Sequence, residues 1–273
     1  MHKIFFLQSI TLEIMSTTFT KELHECYSRW CKSRQGRAVE SSLESLIHSI
    51  MDIQPGLRVL DIGCGAGNHL LLLSKMGLDV SGIDASPLMI EQARSRLGRH
   101  CTLTTCQAED LPFEDNEFDS VFLINTLEFV EDPIEVLKEA GRVASREVFI
   151  GAFNSLSWSG ITNKIVGLLG NSMFRSARLF NIWDLKALVK EAFGGVPVAW
   201  KCILIYPEFL DRMGLVSGNW CALTGMPFGA FIGLRASMLY TVRAHTIPLN
   251  VQLDDISQPV SQVRVGSSPR VPN

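Results

Sequence analysis

Two carboxylates and a run of alternating glycines are the residues of this chain whose types and spacing could do chemistry. Asp61 stands two residues before Gly63, and Gly65 and Gly67 follow at alternate positions, with Cys64 and Ala66 between them. Glycine admits positive φ and lets a ligand approach the main chain closely, so this cluster suggests a ligand lying on a turn. Asp61 sets the charge of that ligand, because a carboxylate repels a phosphate and holds an ammonium group. The dinucleotide fingerprint spaces its glycines G-x-G-x-x-G, whereas this chain has G-x-G-x-G behind an acid; the pattern favours a cationic ligand over a pyrophosphate. Asp84, about 20 residues beyond the turn, is placed to accept hydrogen bonds from both hydroxyls of a ribose.

Position comes from the elements around these residues. Val59, Leu60 and Ile62 read as a strand buried on both faces, entered from the Pro55-Gly56 turn. A leucine-rich helix over 68–75 follows the glycines and is stopped by Gly77 acting as a C-cap. Residues 80–83 form a second strand closed by Asp84, and Ser86 and Pro87 are the N-cap and first residue of a helix reaching about residue 97. Strands are expected at 102–106 and 118–125, the latter leaving the sheet at Asn125, on the carboxyl edge where open parallel sheets bind ligands. A helix beginning at 131–133, a strand at 148–151, a helix over 184–193 stopped by Gly194, and strands at 198–206 and 228–234 complete the pattern. Met213, Trp220, Cys221 and Met226 fall in a loop between the last two strands. Upstream, residues 19–51 are helical by the spacing of Val39, Leu43, Leu46, Ile47 and Ile50, with Gly36 dividing two helices. Strands alternating with helices predict a doubly wound parallel sheet.

Residues 59–67 resemble motif I of the class I S-adenosylmethionine-dependent methyltransferases. Tyr27, Trp30, Gly36, Glu40 and Glu44 resemble the N-terminal cap of the UbiE-like, type 11 subgroup. Gln107-Ala108-Glu109-Asp110-Leu111-Pro112-Phe113 matches the subgroup's x-A-E/D-x-L-P-F segment. The resemblance covers about residues 27–235 and implies a Rossmann-like, doubly wound α/β sheet of seven strands. That sheet is mostly parallel with an antiparallel final strand, and helices cover both faces. It implies S-adenosylmethionine as cofactor. Asp61 then faces the methionine amino group, and Gly63, Cys64, Gly65 and Gly67 admit the amino-acid portion. Asp84 takes the ribose, Ala85 and Met89 line the adenosine pocket, Ala108 and Glu109 meet the adenine, Asn125 stands at the cofactor edge, and Tyr27 lies over the cofactor. Tyr27, Ala85 and Met89 have ordinary packing roles as the alternative.

The implied reaction is methyl transfer to a small-molecule acceptor by in-line displacement, where alignment does most of the work. A general base is required only for an acceptor that arrives protonated. His69 at the start of the first helix of the domain and Glu128 beyond the fourth strand are the two weak candidates, each with a structural role as its rival. Relatives commonly carry His where Phe129 stands, so no catalytic role rests on that position. Residues 152–182 form an apolar insert with Trp158, Ile161, Ile165 and Val166. It reads as a substrate lid for a partly hydrophobic acceptor, with Arg175 and Arg178 available to an anion.

Lys+Arg 25 against Asp+Glu 28 leaves a net charge of −3. No basic run interleaved with aromatics is present, which argues against nucleic acid as a partner. Seven cysteines are scattered without metal-ligand spacing. They read as reduced thiols of a cytoplasmic protein with no metal site. No run of apolar residues is long enough for a transmembrane helix. Residues 1–18 read as a flexible extension in which Met15 could be the true start, 19–54 as the helical cap, 55–236 as the catalytic domain and 237–273 as a largely disordered tail. A monomer or homodimer is expected. The rival readings are an NAD-dependent oxidoreductase, a non-catalytic S-adenosylmethionine-binding module, and thiol-assisted methylation of a metalloid through Cys26 with Cys31 or Cys202 with Cys221.

Overall fold

Along the central strands, buried apolar residues alternate between two sides. In the fourth strand Val121 and Leu123 join one core cluster while Phe122 and Ile124 join another, as a strand covered on both faces requires. The computed structural model describes residues 34–98, 101–157, 178–205 and 221–238. The described chain runs α1 (Arg34–Ile50), β1 (Arg58–Ile62), α2 (Asn68–Lys75), β2 (Asp79–Asp84), α3 (Pro87–Leu97), β3 (Thr102–Thr105), β4 (Phe118–Ile124) and α4 (Pro133–Val143). It continues through β5 (Ala144–Phe153), α5 (Ile182–Phe193), β6 (Val198–Ile205), β7 (Cys221–Thr224) and β8 (Phe231–Ser237).

These strands form one sheet in the order β3-β2-β1-β4-β5-β8-β6-β7. Strands β1 to β5 pair in parallel, β8 lies antiparallel between β5 and β6, and β7 pairs antiparallel with β6. From β1 the chain builds outward through β2 and β3 and then returns to place β4 on the other side of β1, so the order reverses between β1 and β4. Ligands of open α/β sheets bind at such a reversal, outside the carboxyl ends of the strands. Leu46 and Ile47 of α1, Leu70 and Leu73 of α2 and Ile90 of α3 cover one face; Val136, Leu137 and Ala140 of α4 and Leu185 and Val189 of α5 cover the other. Full burial of each such aliphatic side chain contributes about 1.5–3 kcal/mol.

The helix starts follow local chemistry. Ser86 Oγ accepts from Met89 N with Pro87 at the first helical position, and Asp132 caps α4 ahead of Pro133. Asn181 and Asp184 form a capping box on α5.

Three expectations are corrected. The sheet has eight strands rather than seven, because Cys221–Thr224 forms the short edge strand β7 on Cys202–Ile205 instead of a loop. Four residues at a sheet edge give little periodic signal. Strand β5 extends from Ala144 to Phe153, since β4 on one side and β8 on the other hold its whole length. Gly36 does not divide two helices; it lies inside the continuous α1, at a cost of only about 1 kcal/mol that packing of the helix offsets. The expected cap over 19–33 with Tyr27, the insert residues 158–177 with Arg175, the stretch 206–220 and the tail from 239 lie outside the described residues.

Candidate functional site

The glycine turn is fitted from three sides. Gly63, Gly65 and Gly67 have φ of +72°, +51° and +80°. A Cβ on Gly63 would stand 2.7 Å from Thr126 Cγ2, and one on Gly67 would stand 2.8 Å from Leu97 Cδ1 and 3.2 Å from Ala93 Cβ. Packing by the chain itself therefore requires these two glycines. Gly65 differs, because nothing lies within 4 Å of the Cβ position there; its backbone is open to an approaching group. The turn is held by Thr126 Oγ1 donating to Ile62 O at 2.6 Å, Cys64 N donating to Ile83 O at 2.8 Å and Arg96 Nη1 donating to Ala66 O at 3.1 Å.

Two carboxyls flank it in sequence, Asp84 and Asp61. Asp84, at the tip of β2, accepts from Gly65 N with Oδ2 and from Ser86 N with Oδ1, both at 2.9 Å. It thereby ties the turn to the start of α3. Burial raises its titration against the lowering effect of those two N–H groups. Asp61 is wholly buried, and among the described residues neither of its oxygens has a hydrogen-bond partner. Burial first, and the neighbouring Asp84 charge second, hold this carboxyl well above its ordinary range. An unpaired buried carboxyl is costly and is retained where a donor or cation completes it. Cys64, also buried, has its thiol pushed up by burial and by the charges of Asp61 and Asp84, which makes it an unreactive neutral group.

Across the reversal, Asn125 follows β4 with φ +57°, its N–H bonded to Gly151 O at 2.8 Å and its Oδ1 buried without a partner among the described residues. A non-glycine residue in the left-handed region is strained, and such strain gathers at functional sites. The contact between Gly63 and Thr126 brings this end of β4 against the turn. Beyond β2, Ala85 is exposed and Met89 is buried at the start of α3. Cys106 N donates to the main-chain carbonyl of Asp84 at 3.3 Å, which ties the start of the β3–β4 loop to the end of β2. Ala108 on that loop packs against the α4 side of the core, and Glu109 is half-buried. Asp61, Gly63, Cys64, Gly65 and Gly67 thus lie at the carboxyl end of β1, Asp84, Ala85 and Met89 at that of β2, and Asn125 at that of β4, with Ala108 and Glu109 on the loop after β3, while Tyr27 lies outside the described residues.

The two base candidates differ in setting. His69, in the first turn of α2, is pushed down to about 4 by burial, with the Glu40 charge opposing; its imidazole is neutral at physiological pH and a feeble base. Glu128 is buried, uses Oε1 to accept from Phe153 N at 2.9 Å, and leaves Oε2 without a partner among the described residues. Burial pushes it up to about 7, against the lowering effect of its backbone hydrogen bonds. Arg178 donates its backbone N–H to Glu128 O at 3.1 Å.

Sequence reasoning did not single out Thr126, Asn154 or the pair Glu139 and Arg142. Asn154 is buried after β5 and donates through Nδ2 to Pro227 O and Gly229 O, both at 2.7 Å, while pairing with Phe180 in an isolated bridge. The spacing of Glu139 and Arg142, three residues apart on a helix, was a readable signal for a side-chain pair.

A reversal point lined by a glycine turn, an unpaired buried carboxyl and a carboxylate at the tip of β2 defines a Rossmann-like domain for a nucleoside-bearing, cationic ligand. Residues 60–150 match the family model described as Methyltransferase domain. Among curated relatives, a sterol 4-C-methyltransferase of Caenorhabditis elegans is 27% identical over 117 residues, covering 40% of this chain and 35% of that protein. The demethylmenaquinone methyltransferase of Tropheryma whipplei (strain Twist) is 34% identical over 102 residues, covering 34% of this chain and 43% of that protein. The chain thus spans less than half the length of either relative. Among solved structures, a SAM-dependent methyltransferase of Thermotoga maritima, described as a possible histamine N-methyltransferase, shares the fold with a TM-score of 0.63 at 24% identity, covering 78% of this chain and 95% of that one. The magnesium protoporphyrin IX methyltransferase of Synechocystis, solved with bound SAH, gives a TM-score of 0.57 at 18% identity, covering 84% of this chain and 99% of that one. Residues 60–150 thus match a methyltransferase-domain family, and the described residues share the fold of S-adenosylmethionine-dependent methyltransferases. S-adenosylmethionine is the cofactor of that class.

Proposed function

We propose that this protein transfers a methyl group from S-adenosylmethionine to a small, partly hydrophobic acceptor. The observation that carries the reading is Asp61, a wholly buried carboxyl with no partner among the described residues, two residues before the open glycine turn. A bound ammonium group supplies what that carboxyl lacks, and a pyrophosphate does not. When bound, the cofactor supplies a methyl group made electrophilic by its sulfonium.

The chain's own residues do the rest. Asp61 holds the amino group, directly or through water. Gly63, Cys64, Gly65 and Gly67 present their backbone to the amino-acid portion, and Asp84 accepts from the ribose hydroxyls with the lone pairs left by Gly65 N and Ser86 N. Ala85, Met89, Ala108 and Glu109 enclose the adenosine, and Asn125 closes the β4 edge. Holding donor and acceptor in line accounts for about 7–11 kcal/mol of the barrier without a proton transfer. Neither His69 nor Glu128 is assigned as a base. The first is a feeble one, and the second already holds the end of β5 through Phe153 N.

The apolar residues of the insert, Trp158, Ile161 and Ile165 among them, support an acceptor with hydrophobic character. Two matched relatives are named for acceptors of that kind, a sterol and demethylmenaquinone. Unpaired Cys64, Cys101, Cys106, Cys202 and Cys221 support a reducing, cytoplasmic setting. The net charge of −3 supports a site that takes no nucleic acid.

Isothermal titration tests the reading. Micromolar or tighter binding of S-adenosylhomocysteine with no heat from NAD(H) is expected, and the reverse overturns it. Incubation with radiolabelled S-adenosylmethionine and a metabolite extract then separates an enzyme from a module that only binds the cofactor, since the enzyme transfers label.

A further inference from the structure

The β3–β4 loop, which carries Ala108 and Glu109, is held from α4 by Arg142 and Glu139. A guanidinium has five N–H donors, and Arg142 uses them all. Nε and Nη2 fork onto Glu139 at 2.8 and 2.7 Å, and Nη2 also reaches Leu111 O at 3.0 Å. Nη1 donates to Phe113 O at 2.7 Å and to Asp115 Oδ1 at 3.0 Å. Glu139 Oε2 in turn accepts from Leu111 N at 3.0 Å, and the Arg142 carbonyl accepts from Asn116 N at 2.9 Å. A two-pronged pair in a partly buried setting is stronger and more directional than a single charge contact. Its two members reinforce one another: Arg142 holds Glu139 below the usual carboxylate range, and Glu139 and Asp115 raise the guanidinium.

The clamp acts on one end of a short span. At the other end Cys106 N is bonded to Asp84 O. Leu111 is buried in the core, and Phe113 packs edge-on to Phe118 with ring centroids 5.0 Å apart. Residues 107–110 are therefore stretched between the main chain of Asp84, the residue whose carboxylate is read as the ribose partner, and the Arg142 clamp. Where Glu109 stands relative to Asp84 is set by those two anchors.

We propose that Arg142 and Glu139 are positioning residues for the adenine end of the cofactor site, and that they determine its selectivity for the base by fixing Glu109 at a set distance from Asp84. The inference rests on the reading of Glu109 as the acceptor for the adenine amino group. Lysine cannot replace Arg142, because a single ammonium cannot fork on Glu139 and reach two carbonyls at once.

The test compares S-adenosylhomocysteine with S-inosylhomocysteine, whose base carries a carbonyl in place of the amino group, by titration calorimetry on the full chain. Wild type is expected to prefer the adenine ligand by at least about tenfold, as a site built to accept an N–H rejects an analogue lacking it. Arg142→Lys and Glu139→Gln are expected to lose most of that preference and to bind S-adenosylhomocysteine at least about tenfold more weakly. Asp115→Asn, which removes only the exposed contact, is expected to stay within about twofold. Val189→Ala, a core truncation on α5, lowers the melting temperature without touching the loop and should keep the preference, which separates positioning from general destabilisation. Unchanged preference in Arg142→Lys while wild type binds overturns the inference alone. A wild type that binds no S-adenosylhomocysteine overturns the cofactor reading and this inference with it.

Discussion

A side-chain carbon on Gly63 would stand 2.7 Å from Thr126 Cγ2 and 2.8 Å from Thr126 Oγ1, so the turn after β1 and the end of β4 fit together with no room for a methyl group. Thr126 cannot simply swing away, because its hydroxyl bonds Ile62 O at 2.6 Å. Gly63→Ala should therefore cost about 1–3 kcal/mol, from overpacking together with positive φ. Thr126→Ala in the same chain should recover part of that loss, a non-additivity that urea denaturation of the single and double variants measures. Gly65→Ala, with open space around it, should cost only about 1 kcal/mol of stability from its left-handed φ and yet weaken S-adenosylhomocysteine strongly. Equal binding in that variant removes the open turn from the cofactor site.

Asp61 should behave as a ligand residue that the unliganded fold tolerates at a cost. Its carboxyl titrates well above its ordinary value of 3.8 when folded. The folded state thus binds this proton more tightly than the unfolded state, and the associated stability is full below about pH 3.8 and lost as pH rises through the folded value. Asp61→Asn should flatten that part of the pH profile and raise the unliganded melting temperature at pH 7, by the equivalent of about 1 kcal/mol or more. The same change should abolish most of the thermal shift produced by S-adenosylhomocysteine. Differential scanning calorimetry with and without ligand checks both halves.

Glu128 offers a second titration in a different window. Its ordinary value of 4.5 is pushed up to about 7 by burial. Stability from the protonated carboxyl is full below pH 4.5 and declines until about pH 7, by at most about 3 kcal/mol. Glu128→Gln keeps an oxygen for Phe153 N and removes the charge, so the decline between those values should vanish in urea titrations from pH 4 to 8. Methyl-transfer rate at saturating substrate should stay within about tenfold of wild type; a loss of a hundredfold or more restores Glu128 as a general base.

Asn154 holds the turn before β8. Its Nδ2 satisfies Pro227 O and Gly229 O, and its Oδ1 accepts from Leu156 N at 3.0 Å. Asn154→Ala leaves buried carbonyls unpaired and should destabilise by about 2–4 kcal/mol. Hydrogen exchange should show the loss concentrated in β8 and the ends of the insert, with β1 and β2 unchanged.

The order of strands and helices from β1 to α4 was legible residue by residue because its signals are local. Buried β-branched runs mark the strands, Ser86-Pro87 and Asp132-Pro133 mark helix starts, and Gly77 and Gly194 mark stops. The glycine turn with Asp61, and Asp84 beyond it, were readable for the same reason, since backbone conformation and charge are properties of single residues at fixed spacing. What separates Gly65 from its neighbours was not readable. Gly63 and Gly67 owe their identity to Thr126 and to Ala93 and Leu97, which are distant in sequence, and only the fold brings them together. The short strand β7, the Asn154 junction and the Arg142 clamp on the β3–β4 loop were likewise decided by tertiary structure. Each depends on which carbonyls and edges stand within about 3 Å of a side chain, and that proximity belongs to the packed chain, not to any stretch of sequence.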